Sequence, residues 1–452
     1  MAAETASAPH SPGLRVGVIG GGWAGLAAAV TATQAGHAVT LWEMAPHPGG
    51  RARQVAATAS DPRTEGLDNG QHLMIGAYRE TLRLMALVGV DLGQALWRTP
   101  LQLVNAQGQG LRLPGGAPTW SFLRGVAGHG TWSVGERWAL LRRAAAWRWQ
   151  GFRCDPALSV ARLTSDLPAR VREELIDPLC VAALNTPASQ ASGQVFLRVL
   201  QDALLAGPGS ADLLFPRQPL SALWPTPAVA WLQAHGAALH WHQRVQALHA
   251  EGGGGWFVDG KRFDQVVVAT TPTEAARLCG AIAPRWSALA QGLRYEPIAT
   301  VYLHSEGTRL AAPMVRLASD DLDRPGQFVL DAGHWGGPAG RLALVVSGAA
   351  AWVARGQEAL TAAAMRQLEA ALGPTLRGPL QPLQTLIDKR ATFRCTPGLQ
   401  RPAPAIAPGL HAAGDYVDGP YPATLEGAMQ SGVAAVRKLS SVRQSGDQGA
   451  GV

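Results

Sequence analysis

The sequence predicts an α/β protein of two interleaved domains, and three observations carry that reading. The chain has 452 residues, more than one hydrophobic core usually supports. Hydrophobic residues make up 47% and charged ones 16%, a globular balance that can fill two cores. The third observation is the stretch VGVIGGGWAGLAAAVTATQAGHAVTLWE, residues 16–43, in which positions 16–42 hold no Asp, Glu, Lys or Arg.

Hydropathy alone makes such a run a candidate membrane span, because about 20 apolar residues cross a bilayer core. Its internal pattern argues otherwise. Val16, Val18 and Ile19 form a short β-type run that Gly20 to Gly22 break; Trp23 to Gln34 is Ala-rich and helix-compatible; Gly36 closes that helix before a second β run. The result is a β-turn-α-turn-β unit.

Gly20-x-Gly22-x-x-Gly25 follows the strand and opens the helix, the context that makes a GxGxxG informative. Gly20 permits the tight turn, Gly22 lets backbone approach a pyrophosphate, and Gly25 allows close helix-to-strand packing, with Ala24 beside them at the helix start. The helix N-terminus then offers unpaired N–H groups to the phosphates. Glu43 ends the second strand eighteen residues after Gly25, where a carboxylate accepts hydrogen bonds from a ribose diol and disfavours a 2′-phosphate. This is a Rossmann-like dinucleotide site. Six residues further, Gly49-Gly50-Arg51 adds a close-approach turn and an Arg able to meet phosphate bidentately.

The formal charge is +7 with a pI near 9.7, and 36 of the 39 basic residues are Arg. No zinc-finger spacing, RNP-like motif or Lys/Arg block accompanies it, so nucleic acid is not an expected partner. Cys154, Cys180, Cys279 and Cys395 are far apart with no CxxC pair, which fits a reduced cytoplasmic compartment. No metal-ligand spacing and no Ser/His/Asp constellation is found. The start, MAAETASAPHSPG, lacks the basic and apolar regions of a secretory signal and reads as a loose tail, as does SVRQSGDQGAGV.

Along the chain, LDNGQHLMIGAYRETLRLMALVGV follows the Arg51 loop and turns helical in its second half. Residues 100–210 are mostly helical in pattern, including 131–152 and 171–187. Short alternating strands follow an Ala-rich helix between 228 and 275, and VVVAT is a buried-strand run. Residues 280–395 alternate ATVYLHS, QFVLDAG and RLALVVSG with one helix, AWVARGQEALTAAAMRQLEAAL. The end, GLHAAGDYVDGPYPATLEGAMQSGVAAVRKL, reads strand, Gly-Asp turn, Pro-rich loop, helix.

These two ends together resemble the FAD-dependent amine oxidase and phytoene desaturase superfamily. Within it, LDNGQHLMIGAYRETL, PLCVAALNTP, KRATF and YPATLEGA resemble the squalene-associated FAD-dependent desaturases, understood as hydroxysqualene dehydroxylases; the likeness covers residues 14–440. It implies non-covalent FAD, since no Cys stands at a recognised attachment site. Gly414 and Asp415 would meet the ribityl or pyrophosphate part, Leu425 would present its N–H to the flavin pyrimidine, and Val245 would meet adenine through its backbone. Gly70, Gln71 and His72 match the loop passing the flavin ring. The Lys that amine oxidases carry in a strand facing flavin N5 is missing from YEPIATVYLHS, and Tyr416 replaces a frequent Trp.

The resemblance also implies domain bounds. A tail at 1–13 precedes a Rossmann-like FAD-binding domain of amine oxidase type, drawn from 14–99, 215–278 and 405–440; a mixed α+β substrate domain comes from 100–214 and 279–404, and a second tail spans 441–452. The implied reaction replaces the allylic hydroxyl of hydroxysqualene, a long-chain isoprenoid, by hydrogen from reduced flavin, giving squalene for hopanoid or triterpenoid synthesis, with an external electron donor. Such a site needs a proton donor, and His72 and Lys389 are the candidates; the structural reading is favoured for each, His72 bonding flavin or backbone and Lys389 in a salt bridge at a domain seam. A carotenoid-type desaturase, a flavin amine oxidase or a non-catalytic flavin- or lipid-binding partner are the alternatives. Segment 131–152, with Trp132, Trp138, Trp147, Trp149, Arg137, Arg142, Arg143 and Arg148, has two readings. One is an amphipathic helix lying peripherally on the inner membrane face, apolar side in the acyl boundary; the other is a packed helix with a solvated basic face.

Overall fold

The computed structural model describes residues 13–320 and 322–446, without the side chains of 204, 205 and 438–446. Most of the two expected tails therefore lies outside the described residues; residues 441–446 of the second belong to the last helix, Leu425–Gly446.

The first strand, Arg15–Ile19, sits inside a six-stranded sheet. Ala38–Trp42 and Ala238–His240 extend it on one side, Gln265–Val268, Leu410–Ala412 and Ala405–Ala407 on the other, every pairing parallel except the last. Parallel strands are covered on both faces, which is why VGVI, TLW and VVV read as nearly continuous apolar runs. Val18, Leu41 and Val267 point into a core shared with the first helix, Trp23–Gln34, and the last. Ile19, Trp42, Val266 and Val268 point the other way, against Leu248, Trp256 and Phe263 of a three-stranded antiparallel sheet. The two helices pack closely because Gly432 has no side chain: a Cβ there would lie 2.2 Å from the Ala24 carbonyl oxygen.

A seven-stranded sheet forms the second half, in the order Gln381–Phe393, Tyr295–His304, Arg341–Val346, Phe328–Asp331, Met314–Arg316, Gln102–Val104, Gly110–Arg112. One of its faces shares a core with a helical block, in which Trp132, Leu140, Trp147 and Phe196 meet Leu103, Leu111, Tyr302 and Phe328.

Three expectations change. The block read as mostly helical opens with a hairpin, Gln102–Val104 and Gly110–Arg112, whose turn is held by Asn105 accepting from the amides of Gln107 and Gln109 at 3.1 and 2.9 Å. The single helix read across AWVARGQEALTAAAMRQLEAAL is two, Ala350–Ala354 and Gln357–Leu372, parted at Gly356, whose φ of +94° no helix accommodates. The helix over 131–152 is Val134–Trp149, entered through a capping box of Ser133 and Glu136, and its core side is held by Leu140 and Trp147. Trp132 and Trp147 are 2% exposed in the core, so two of the four tryptophans counted in this segment belong to packing and not to an outward face.

Candidate active site

The glycine turn has the geometry its spacing demands. Gly20 has φ +110°, and a Cβ on it would lie 2.4 Å from the Ala269 carbonyl oxygen; one on Gly25 would lie 1.9 Å from the Gly20 oxygen. Gly22 differs, since the nearest atom to a Cβ there is the Gly50 Cα at 3.9 Å. Two of these glycines serve packing and one faces open space. Gly22 caps the first helix without a side chain, no acid stands in its first turn, and the first helical bond is from the Leu26 amide to the Gly22 carbonyl at 2.9 Å. The amides of Trp23, Ala24 and Gly25 are thus left as donors at the positive end of the dipole. Glu43 holds its place by accepting from the Gly21 amide through Oε2 and the Ala45 amide through Oε1, each at 2.7 Å. A carboxylate has lone pairs left after two such bonds.

Arg51 joins three distant pieces of chain. Its guanidinium donates to Asp415 Oδ1 at 2.5 Å and to the carbonyls of Ala391 and Arg390 at 2.7 and 3.1 Å. Asp415 raises the Arg51 pKa, so the guanidinium stays charged. Those two carbonyls are available because the strand bulges: Glu296 pairs with Thr392 and Ile298 with Asp388, so three residues, 389–391, stand opposite Pro297 alone. The bulge explains KRATF. It also leaves Lys389 exposed at its rim, which gives the proton-donor reading of Lys389 no support.

On the loop 70–72, the Gln71 amide donates to Thr300 Oγ1 at 3.3 Å, and His72 Nδ1 lies 2.7 Å from the Gly70 carbonyl oxygen. A carbonyl only accepts, so Nδ1 carries the hydrogen and Nε2 presents a lone pair. Burial lowers the His72 pKa, against the opposing pull of the Gly70 contact and Asp388. A neutral ring of this tautomer accepts a hydrogen bond; it does not hold a proton ready to give. Thr300, 1% exposed, stands on the strand where the lysine of amine oxidases was sought. Tyr295, at the start of that strand, has its phenol pushed up to about 12 by burial and by Asp415.

The last helix begins at Leu425. The Thr424 hydroxyl accepts from the Gly427 amide at 2.9 Å, and the Ala428 amide bonds the Thr424 carbonyl at 3.0 Å, so the Leu425 and Glu426 amides precede the first turn's bonding. Ala423, just before, holds φ +57°, a left-handed conformation that costs a non-glycine residue about 1 kcal/mol or more. Val245, read for adenine, is buried, and its carbonyl accepts from Arg277 at 2.6 Å.

Comparison with known proteins identifies the frame. The model of the flavin containing amine oxidoreductases matches residues 23–440. The chain belongs to that family. Among curated relatives it is 29% identical to a hydroxysqualene dehydroxylase of Rhodopseudomonas palustris over 442 residues, 92% of this chain and 96% of that one. It is 26% identical to one from Sinorhizobium fredii over the same shares. A zeta-carotene desaturase of Zea mays matches at 33% over only 113 residues, 24% of this chain and 19% of that one. Among solved structures, an oxidoreductase of Methanosarcina mazei has a TM-score of 0.69 at 17% identity, covering 94% of this chain and all of that one. Putrescine oxidase bound to putrescine has 0.64 at 16%, covering 95% and 100%. At such identities the structures attest the fold alone.

The protein is an FAD-dependent oxidoreductase of this flavin family, and its own groups fit the cofactor. An uncapped helix start, a glycine with room before it, and a carboxylate at the second strand's end form the donor and acceptor set that a dinucleotide uses. Sequence reasoning missed three residues that build the site. Glu426 is fully buried, and its carboxylate accepts from the Glu80 and Thr81 amides at 3.0 and 2.9 Å and the Thr81 hydroxyl at 2.6 Å, capping the helix Arg79–Leu87. Asn185, φ +47°, donates to Thr392 Oγ1 and the Glu296 carbonyl and accepts from the Gly348 amide, locking the helical block onto the bulge. Asp68, buried until its pKa rises to about 7, accepts from the Leu220 amide at 2.9 Å, and its carbonyl accepts from Tyr302. The motifs containing Glu426 and Asn185 were visible, but their partners lie 345 and 207 residues away.

Proposed function

We propose that this protein reduces hydroxysqualene to squalene, in the cytoplasm or at the inner face of the membrane, as a step of hopanoid or related triterpenoid synthesis. The observation that carries the reading is the similarity to hydroxysqualene dehydroxylases along 92% of the chain, where the desaturase match spans a quarter. Bound FAD, without a covalent link and once reduced by an external donor, supplies the hydride. The balance is two electrons and two protons for each alcohol, all carried by the fully reduced flavin: one hydride goes to carbon and one proton goes to the hydroxyl, which leaves as water.

The residues have separable roles. The Trp23, Ala24 and Gly25 amides hold the pyrophosphate with Gly20, Gly22 and Gly50 giving room, Glu43 takes the adenosine ribose, and Val245 meets adenine. Arg51 and Asp415, with Gly414, fix the loop against the flavin half, where Gly70, Gln71 and Leu425 pass the ring. His72, neutral, accepts a hydrogen bond from the substrate hydroxyl and orients the C–O bond, leaving an oxygen lone pair free for the proton with which it departs as water. The cation that forms as that bond breaks requires a site from which water is excluded.

The test is anaerobic. FAD-loaded enzyme is reduced, mixed with hydroxysqualene, and followed by visible spectrum and mass spectrometry; one squalene per flavin reoxidised is expected. Flavin that stays reduced sinks the substrate assignment. Squalene formation with His72→Gln falling in kcat without loss of FAD supports the orienting role.

A further inference from the structure

Three tryptophans stand out of the surface, and all three are on one helical hairpin. Among the described residues seven large hydrophobic side chains are exposed, and four of them, Trp120 at 67%, Val134 at 79%, Trp138 at 67% and Trp149 at 92%, belong to the helices Pro118–Ala127 and Val134–Trp149. The spacing explains the exposure. The first helix buries Ser121, Gly125 and Val126, and a Cβ on Gly125 would lie 2.7 Å from Leu113, so Trp120 and Arg124 take the outer side. The second buries Leu140 and Trp147, which leaves Val134, Trp138, Arg142, Ala145 and Trp149 along one outward stripe. The eleven residues from Trp138 to Trp149 return to the same face after about 16 Å. Arg148 reaches Thr119 at 3.5 Å, so the Trp149 end lies beside the Trp120 end.

Each exposed indole has an arginine close by: Arg124 one turn after Trp120, Arg142 one turn after Trp138, Arg148 next to Trp149. Residues 114–152 contain five Arg and one acid, Glu136, and Glu136 is spent on the capping box. Arg143 is paired with Asp166, and Arg137 donates to the carbonyls of Ala127 and His129. Among the described residues Arg124 and Arg142 have no carboxylate partner.

We propose that this outer face docks on an anionic lipid bilayer surface. The indoles sit at headgroup level, where an apolar ring with one N–H donor is most at home, and Arg124, Arg142 and Arg148 meet lipid phosphates. Charge complementarity selects the partner: the face is positive without a matching acid, and its aromatic groups stand apart on convex helices and do not form one groove that a single protein side chain would fill. The structure thereby replaces the amphipathic-helix reading. The apolar side is in the core, and the tryptophans opposite it are the contact. The proposal does not depend on the substrate.

The experiment is flotation of FAD-loaded protein with vesicles of phosphatidylcholine alone and of phosphatidylcholine and phosphatidylglycerol in equal parts. Binding to the anionic vesicles is expected, weakened by salt and by Arg124→Gln/Arg142→Gln/Arg148→Gln. The triple variant Trp120→Ser/Trp138→Ser/Trp149→Ser should lose about tenfold in partition while its flavin spectrum and melting temperature stay those of the parent, since these side chains are outside the core. Equal binding by the tryptophan variant, or no binding to either vesicle, overturns the proposal. So does self-association abolished by the same variant without vesicle binding, which would assign the face to a second copy.

Discussion

Two helices packed against each other begin at the candidate site, and they leave amides free at their positive ends by opposite means. At Trp23 the chain removes atoms: three glycines, no cap side chain, no acid in the first turn. At Leu425 it keeps them, with a threonine cap, a left-handed alanine and a glutamate in the first turn. That glutamate would oppose an electron-rich ligand by charge if it faced the site, yet Glu426 is turned away to cap the neighbouring helix Arg79–Leu87. The first start is built locally, the second by tertiary contacts. The difference teaches that a helix end can be prepared for a ligand by what the rest of the fold does with its side chains.

Substitutions separate the two designs. Gly25→Ala should have the largest effect. Alanine gains about 1 kcal/mol of helix propensity, but its Cβ would overlap a backbone oxygen at 1.9 Å, and overpacking of about 1–3 kcal/mol or more wins; a lowered melting temperature of the apoprotein checks it. Glu426→Gln comes next, losing about 1.5–3 kcal/mol because four donors lose a charged acceptor, read as a lower denaturant midpoint with unchanged slope. Thr424→Ala should cost about 1 kcal/mol, the usual value of such a cap. Gly22→Ala should change apoprotein stability least, within about 1 kcal/mol, and yet lose FAD on desalting, since its Cβ enters the open space. If Gly22→Ala lowers stability as much as Gly25→Ala, the distinction between a packing glycine and a ligand-facing one fails.

The first start was legible because everything that explains it lies within thirty-odd residues. The fold class followed from the same stretch. Arg51 was legible as a residue but not as a junction, because its carbonyl acceptors come from a bulge some 340 residues later. Ala423 carries no signal at all, alanine being no marker of φ +57°. Elsewhere a signal existed and was passed over: the Asn105 to Gly110 turn inside a block read as helical is a hairpin sequence, and Gly356 divides the helix it interrupts. The tryptophan-rich segment shows the limit of composition. Four indoles were counted as one face, but periodicity against the core places Trp132 and Trp147 inside and brings in Trp120 from the preceding helix.

The six-stranded sheet takes its strands from residues 15–42, 238–268 and 405–412. A chain leaving the ribosome must therefore hold Val266, Val267 and Val268 with one strand edge unpaired until Leu410–Ala412 arrives, and the first helix lacks its packing partner until the last one emerges. Contacts of such sequence separation form late, and the exposed apolar edge is open to wrong pairing during the interval. The dinucleotide cleft closes only once Leu410–Ala412 and the last helix have emerged. FAD binds the assembled cleft and not the unfolded chain, so its binding adds to the stability of the finished fold by mass action.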